Sequence, residues 1–270
     1  MKSIFADSKD IFLDTVNPKD YVQLERVSEI YRSFEQSITK PLKMILLYGK
    51  PGTGKSMFLS KLYKDSADER PLFLYQTPIL DESEFYKKLA NDVCSMEIDK
   101  ELNFTQFMKI LEGKNFDEVP VVLLDEAQLY SDALMEKIRL LSDTRKIKFV
   151  IALHKTEKED LIAKEHFQTR IWESIELENA SKAELKIYIQ KKLMMANCFD
   201  TASMFNNNRV INLIYKLTKG NYRDTNKLLY TLFDIYTIYE DRQQLHKVST
   251  SHISSKLVEM SAIHTGLINA

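Results

Sequence analysis

At 270 residues, with 44% hydrophobic side chains, the chain is long enough for one large domain or two smaller ones and for a core that needs neither metal nor disulfide. A net charge of −1 with Lys and Glu interspersed gives no sign of a general polyanion binder, and two distant cysteines, Cys94 and Cys198, exclude a disulfide framework or zinc cluster. Met1–Asp7 lacks an apolar stretch before its first acid and no apolar run approaches membrane-span length, so a cytoplasmic protein is expected, with peripheral docking at the inner membrane as the one membrane role left.

Asn17-Pro18 marks a turn, and the apolar residues of Tyr21–Ile38 fall at helical spacing. Pro41 separates that helix from a short apolar run, Met44–Tyr48, which enters Gly49-Lys50-Pro51-Gly52-Thr53-Gly54-Lys55-Ser56-Met57. This is the strand, glycine-rich loop and helix start of a phosphate-binding loop. Several backbone N–H groups must aim inward around phosphate oxygens, and Gly49, Gly52 and Gly54 permit the backbone angles and the close approach. The following helix offers its positive end to the anion. Lys55 reaches the β- and γ-phosphates, and the Ser56 hydroxyl is a ligand for Mg²⁺.

A second strand is expected in Pro71–Leu80, a capped helix from Asp81-Glu82-Ser83-Glu84, and a short helix over Glu101–Leu111. Val119–Leu124 reads as a strand buried on both faces, and it ends in Asp125-Glu126. Two adjacent carboxylates at the end of an apolar strand need a cation opposite them; Asp125 is assigned to Mg²⁺ and Glu126 to the water that attacks ATP. Asp132–Leu141 is the next helix. Lys148–Leu153 is another buried strand, and His154 at its end would lie beside Asp125, within reach of the γ-phosphate or the water. A short helix near Glu157–Ala163 and a strand within Phe167–Leu177 complete this half.

Beyond Asn179 only helical patterns remain. Ser181-Lys182-Ala183-Glu184 opens a helix, Val210–Leu217 ends at Lys219-Gly220, Asp224–Tyr239 follows, and His252–Ala262 is the last. The expected layout is an N-terminal segment and helix over 1–40, an α/β base over 41–178, and an all-helical lid over 179–270. Arg170 and Arg223 are candidate stabilisers of charge developing on a transferred phosphoryl group.

Gly49–Ser56 and Leu123–Glu126 resemble the Walker A and Walker B motifs of the AAA+ ATPases. Asp125-Glu126-Ala127-Gln128, Gln168-Thr169-Arg170-Ile171, Leu177-x-x-Ala-Ser-x-x-Glu184 and Gly220-x-x-Arg223-x-x-Asn226 are most similar to ExeA-type secretion ATPases. Transposition helpers of the TniB and MuB type and origin-recognition ATPases are relatives of these. The resemblance implies a five-stranded parallel sheet sandwiched by helices with a small helical lid, nucleotide between base and lid, and a homo-oligomer. It also places His154 at sensor 1, Arg170 near an arginine finger acting on a neighbour's nucleotide, and Arg223 at sensor 2. Sensor 1 is usually Asn, Gln, Ser or Thr, so His154 departs from the pattern. The absence of an Asn-Lys-x-Asp motif favours ATP over GTP. The function implied is MgATP hydrolysis coupled to assembly of a larger, membrane-associated protein machine for secretion, type IV pilus-like assembly or DNA uptake. The alternatives are a DNA-binding ATPase of transposition or replication loading, and a scaffold that binds nucleotide without hydrolysing it.

Overall fold

A computed structural model describes residues 4–156, 158, 165–241 and 252–268; the helix expected near Glu157–Ala163 lies largely outside them. The chain divides into two units, one of Arg26–Lys50 with Lys55–Leu177, the other of Met1–Glu25, Pro51–Gly54 and Glu178–Ala270.

The first unit is built on five strands: β1 (Met44–Gly49), β2 (Leu72–Tyr75), β3 (Val121–Leu124), β4 (Lys148–His154) and β5 (Ile171–Leu177). All pairings are parallel and the order is β2-β3-β4-β1-β5. Every residue of β1 and β3 is buried, which is why these runs are continuously apolar rather than alternating. β5 is an edge strand and does alternate, exposing Trp172 and Ser174. Successive side chains of a strand point to opposite faces, and two cores follow. Met44, Leu46, Val122, Leu124, Phe149 and Ile151 share one core with residues of α4 (Glu82–Cys94), α5 (Phe104–Glu112) and α6 (Asp132–Asp143). Ile45, Leu47, Leu123, Val150 and Ala152 share the other with Phe34 and Ile38 of α2 (Glu25–Thr39) and Phe58, Leu59 and Leu62 of α3 (Lys55–Ser66).

Helix ends explain much of the polar sequence between elements. Asp81 and Ser131 accept from the backbone N–H of Glu84 and Leu134, and Asn103 forms a reciprocal capping box with Gln106. At the C-terminal ends, lysines donate to orphan carbonyls: Lys114 to Cys94 O, Lys146 to Leu111 O, Glu112 O and Lys114 O, and Lys148 to Ile38 O and Lys40 O. A cation at a helix C-terminus satisfies the carbonyls and the dipole together.

Several boundaries differ from the sequence expectation. α2 begins at Glu25, because Tyr21–Leu24 carries no regular structure although Val22 and Leu24 are buried, and only Leu24 continues the helical spacing of Val27 and Ile30. The second strand stops at Tyr75. The helix expected from Glu101 starts at Phe104, and β5 starts at Ile171 after a one-turn helix, α7 (Glu165–Gln168). No described helix is long and apolar enough to cross a membrane, and both cysteines are free.

The regular secondary structure of the second unit is helical among its described residues. It contains α1 (Ile4–Asp10), a 3-10 turn at Pro18–Asp20, α8 (Lys182–Met195), α9 (Phe199–Met204), α10 (Asn208–Thr218), α11 (Tyr222–Asp241) and α12 (Ser255–His264). α8 opens on the expected Ser181–Glu184 capping box. Phe5 stacks on Tyr236 with ring centroids 4.5 Å apart, and Phe12 stacks on Phe233 at 5.8 Å. Ser8 donates to Thr201 at 2.9 Å, and Lys9 pairs with Asp234. The left-handed position ending α10 falls on Lys219, with Gly220 also at positive φ; a Cβ on Gly220 would sit 1.9 Å from Ala180 O.

Candidate nucleotide site

β1 delivers the chain to Gly49, and α3 takes it up at Lys55. Lys55 is 6% exposed, and its Nζ donates to Gly49 O at 3.0 Å and Lys50 O at 3.1 Å. The ammonium is therefore folded across the base of its own loop. Thr53 is buried, and Ser56 and Met57 are half-buried in the first turn of α3. Gly52 and Gly54 have φ of +78° and +93°, angles that side chains other than glycine resist.

The loop tip, Pro51–Gly54, packs with the helical unit. Asn221 Nδ2 donates to Pro51 O at 2.7 Å, and the Tyr222 N–H donates to Gly52 O at 3.2 Å. A Cβ on Gly52 would lie 2.3 Å from Asn221 Oδ1, so this glycine is also required by close approach. Asn221 Oδ1 in turn accepts from the Asp224 N–H near the start of α11.

The acidic half sits at the C-terminal end of β3. Asp125 is 3% exposed. Its carboxylate accepts from the Glu126 N–H at 2.9 Å. Burial pushes its carboxyl above the usual aspartate range and the Glu126 charge pushes the same way, while the hydrogen bonds from Ser56 and Glu126 and the charge of Lys55 pull it down. A carboxylate held out of water in this way gains from a cation beside it. Glu126 has φ of +48°, a left-handed conformation uncommon outside glycine, and opens a 3-10 turn over Ala127–Leu129. Its Oε2 accepts from Gln128 Nε2 and lies 3.6 Å from His154 Nε2. β4 runs between β1 and β3, and His154 is in register with Gly49. The histidine thus stands between Gly49 and the two acids.

These residues fit MgATP. A hydroxyl and a carboxylate are hard oxygen donors, and Mg²⁺ commonly takes one or two such protein ligands and completes its shell with phosphate and water.

Arg170 is placed elsewhere, whereas Arg223 adjoins the loop tip, where a Cβ on Gly52 would lie 2.8 Å from the Arg223 Cβ. Arg170 precedes β5, whose first residue, Ile171, pairs with Met44, whereas Leu177 pairs with Gly49. It therefore lies at the opposite end of the strands, about 20 Å from Gly49 at ~3.3 Å per residue. There it pairs with Asp143 at 3.3 Å, as do Lys43 at 2.6 Å and Arg139 at 2.7 Å. Arg223 is the second residue of α11 and largely exposed, with its Nε 3.2 Å from Asp14 Oδ2. The structure thus brings Gly49, Lys50, Lys55, Ser56, Asp125, Glu126 and His154 together within one unit and leaves Arg170 outside that group. Sequence reasoning missed Asn221 and Gln128. The only signal for Asn221 was its place before a helix; for Gln128 there was none beyond its position in the Asp125–Gln128 segment.

Residues 39–162 match the family described as AAA domain. Among solved structures, Cdc6p from Pyrobaculum aerophilum superposes with a TM-score of 0.69 at 15% identity, covering 95% of this chain and 71% of that one. The ORC1 protein of Aeropyrum pernix, solved in complex with DNA, gives 0.62 at 16% identity over 95% and 69% of the two chains. The Walker-type ATPase PABY2304 of Pyrococcus abyssi gives 0.57 at 17% identity over 88% and 74%. At these identities the likeness carries the fold, which is that of the AAA+ P-loop ATPases. No curated protein sequence matches the chain.

Proposed function

We propose that this chain binds and hydrolyses MgATP and uses the cycle to assemble or remodel a larger complex. The observation that carries the reading is the buried Asp125 carboxylate at the end of β3, with Glu126 next in the chain, in the same unit as Lys55 and Ser56. That acidic strand end supplies the second half of a phosphoryl-transfer site, where a divalent cation is wanted. Bound Mg²⁺ would neutralise charge on the β- and γ-phosphate oxygens. Gly52 and Gly54 keep the loop open to phosphate, and Lys55 exchanges its own-loop carbonyls for phosphate oxygens. Ser56 and Asp125 hold the cation. Glu126 orients the attacking water and takes its proton, and His154 stands where it can hydrogen-bond the γ-phosphate. Arg170, too far from its own loop, serves the nucleotide of a neighbouring copy.

Lys55→Ala is expected to lose ATP affinity by at least tenfold and to abolish turnover, measured by titration with a fluorescent ATP analogue and by phosphate release. Unchanged binding and turnover would overturn the reading.

For the partner, a DNA-linked role is favoured by one observation, the likeness to ORC1 solved in complex with DNA. The secretion-type machine rests on the sequence resemblance alone. An ATP-dependent shift of duplex DNA that weakens steeply with salt would support the DNA role; no shift at low salt would remove it.

A further inference from the structure

The Glu126 carboxylate is held from within its own turn. Gln128, two residues on, donates its side-chain amide to Glu126 Oε2, the oxygen that also faces His154 Nε2 at 3.6 Å. Interchanging the amide nitrogen and oxygen would set two acceptors against each other, so the donor assignment follows from the partners. The other end of the amide offers no rival explanation for Gln128. Its Oε1 is buried and accepts no hydrogen bond from the described residues, so the side chain is tethered to Glu126 rather than to the surrounding fold. The left-handed backbone at Glu126 and the 3-10 turn over Ala127–Leu129 bring residues 126 and 128 together.

We propose that Gln128 is the positioning residue for Glu126, fixing one carboxylate oxygen so that the other is presented to the water that attacks ATP. The inference rests on the ATPase reading above. The chemistry favours an amide for this task. A neutral donor restricts the carboxylate's rotation without placing a second charge beside it. A lysine or arginine there would bind the carboxylate more tightly and weaken it as a base.

The test uses Gln128→Leu and Gln128→Glu in the full chain, with turnover, ATP affinity and thermal melting measured for each. Gln128→Leu is expected to lower kcat by about tenfold or more, as loss of a residue that orients a reacting group does, with ATP affinity and Tm unchanged. Gln128→Glu is expected to lose more, because a second carboxylate repels the first. In a Glu126→Gln background, Gln128→Leu should change residual turnover less than twofold, since there is no longer a carboxylate to hold. Wild-type kcat in Gln128→Leu overturns the proposal. So does a loss of kcat that comes with a fall in Tm and in ATP affinity, or that persists undiminished in the Glu126→Gln background. If the wild-type chain does not turn over ATP at all, the ATPase reading fails and this inference with it. If wild type turns over, Glu126→Gln does not and Gln128→Leu is normal, only the inference fails.

Discussion

Lys192 is a buried cation of the helical unit. It is 8% exposed, its Nζ lies over the rings of Phe12 and Tyr188, and its acceptor is the Tyr188 hydroxyl at 3.3 Å. Burial lowers its pKa to about 8, against the pull of Asp20 and Asp14. Below that pH the lysine is charged in folded and unfolded chains alike, and the folded state bears the desolvation. From about 8 up to the unfolded value near 10.5 the folded chain holds fewer protons, so stability rises with pH. Lys192→Met should therefore stabilise the protein at pH 7 by about 1–4 kcal/mol. Thermal melts should show that advantage shrinking as pH rises through 8 toward 10; a constant difference, or none, would contradict it. At this scale the phosphate loop was legible because its chemistry is local: glycines at fixed spacing, then Lys55 and Ser56 in the next helical turn. Asn221 was not legible, because its partner Pro51 lies 170 residues away. Nor was the pairing of Arg170 with Asp143, 27 residues apart, since nothing local in either residue names the other.

Among elements, β1, β3 and β4 were readable as double-buried apolar runs, and α8 by its capping box. α1 and α9 escaped, being seven and six residues long. α9 has no side-chain cap at Cys198, and helices this short are marginal without tertiary support. α1 gets that support from aromatic packing: Phe5 is 1% exposed and lies between the rings of Phe233 and Tyr236, 6.4 and 4.5 Å away. Phe5→Ala should cost about 3–5 kcal/mol, read as a lower urea midpoint. A loss under 1 kcal/mol would mean that α1 is dispensable to the helical unit.

Across the whole molecule, the two units draw on chain that is far apart in sequence. Residues 4–25 pack with the helices after Glu178 rather than with the strands that follow them, and the Ser8–Thr201 and Lys9–Asp234 contacts mark that closure. The proposed action of Arg170 between copies starts from its place before β5, at the end of the strands away from Gly49. Arg170→Ala should lose turnover tenfold or more, and adding Lys55→Ala protein should restore part of it, because those copies still supply Arg170; no recovery in the mixture would contradict an action in trans. The central claim is that Asp125 and Glu126 make the glycine loop a hydrolysis site rather than a binding site alone. The most direct test is phosphate release from MgATP by wild type and by Glu126→Gln, with ATP affinity measured alongside. Turnover by wild type, with unchanged affinity and at least hundredfold slower release in the variant, is the predicted result. Equal release by both proteins, or none by wild type, would contradict it.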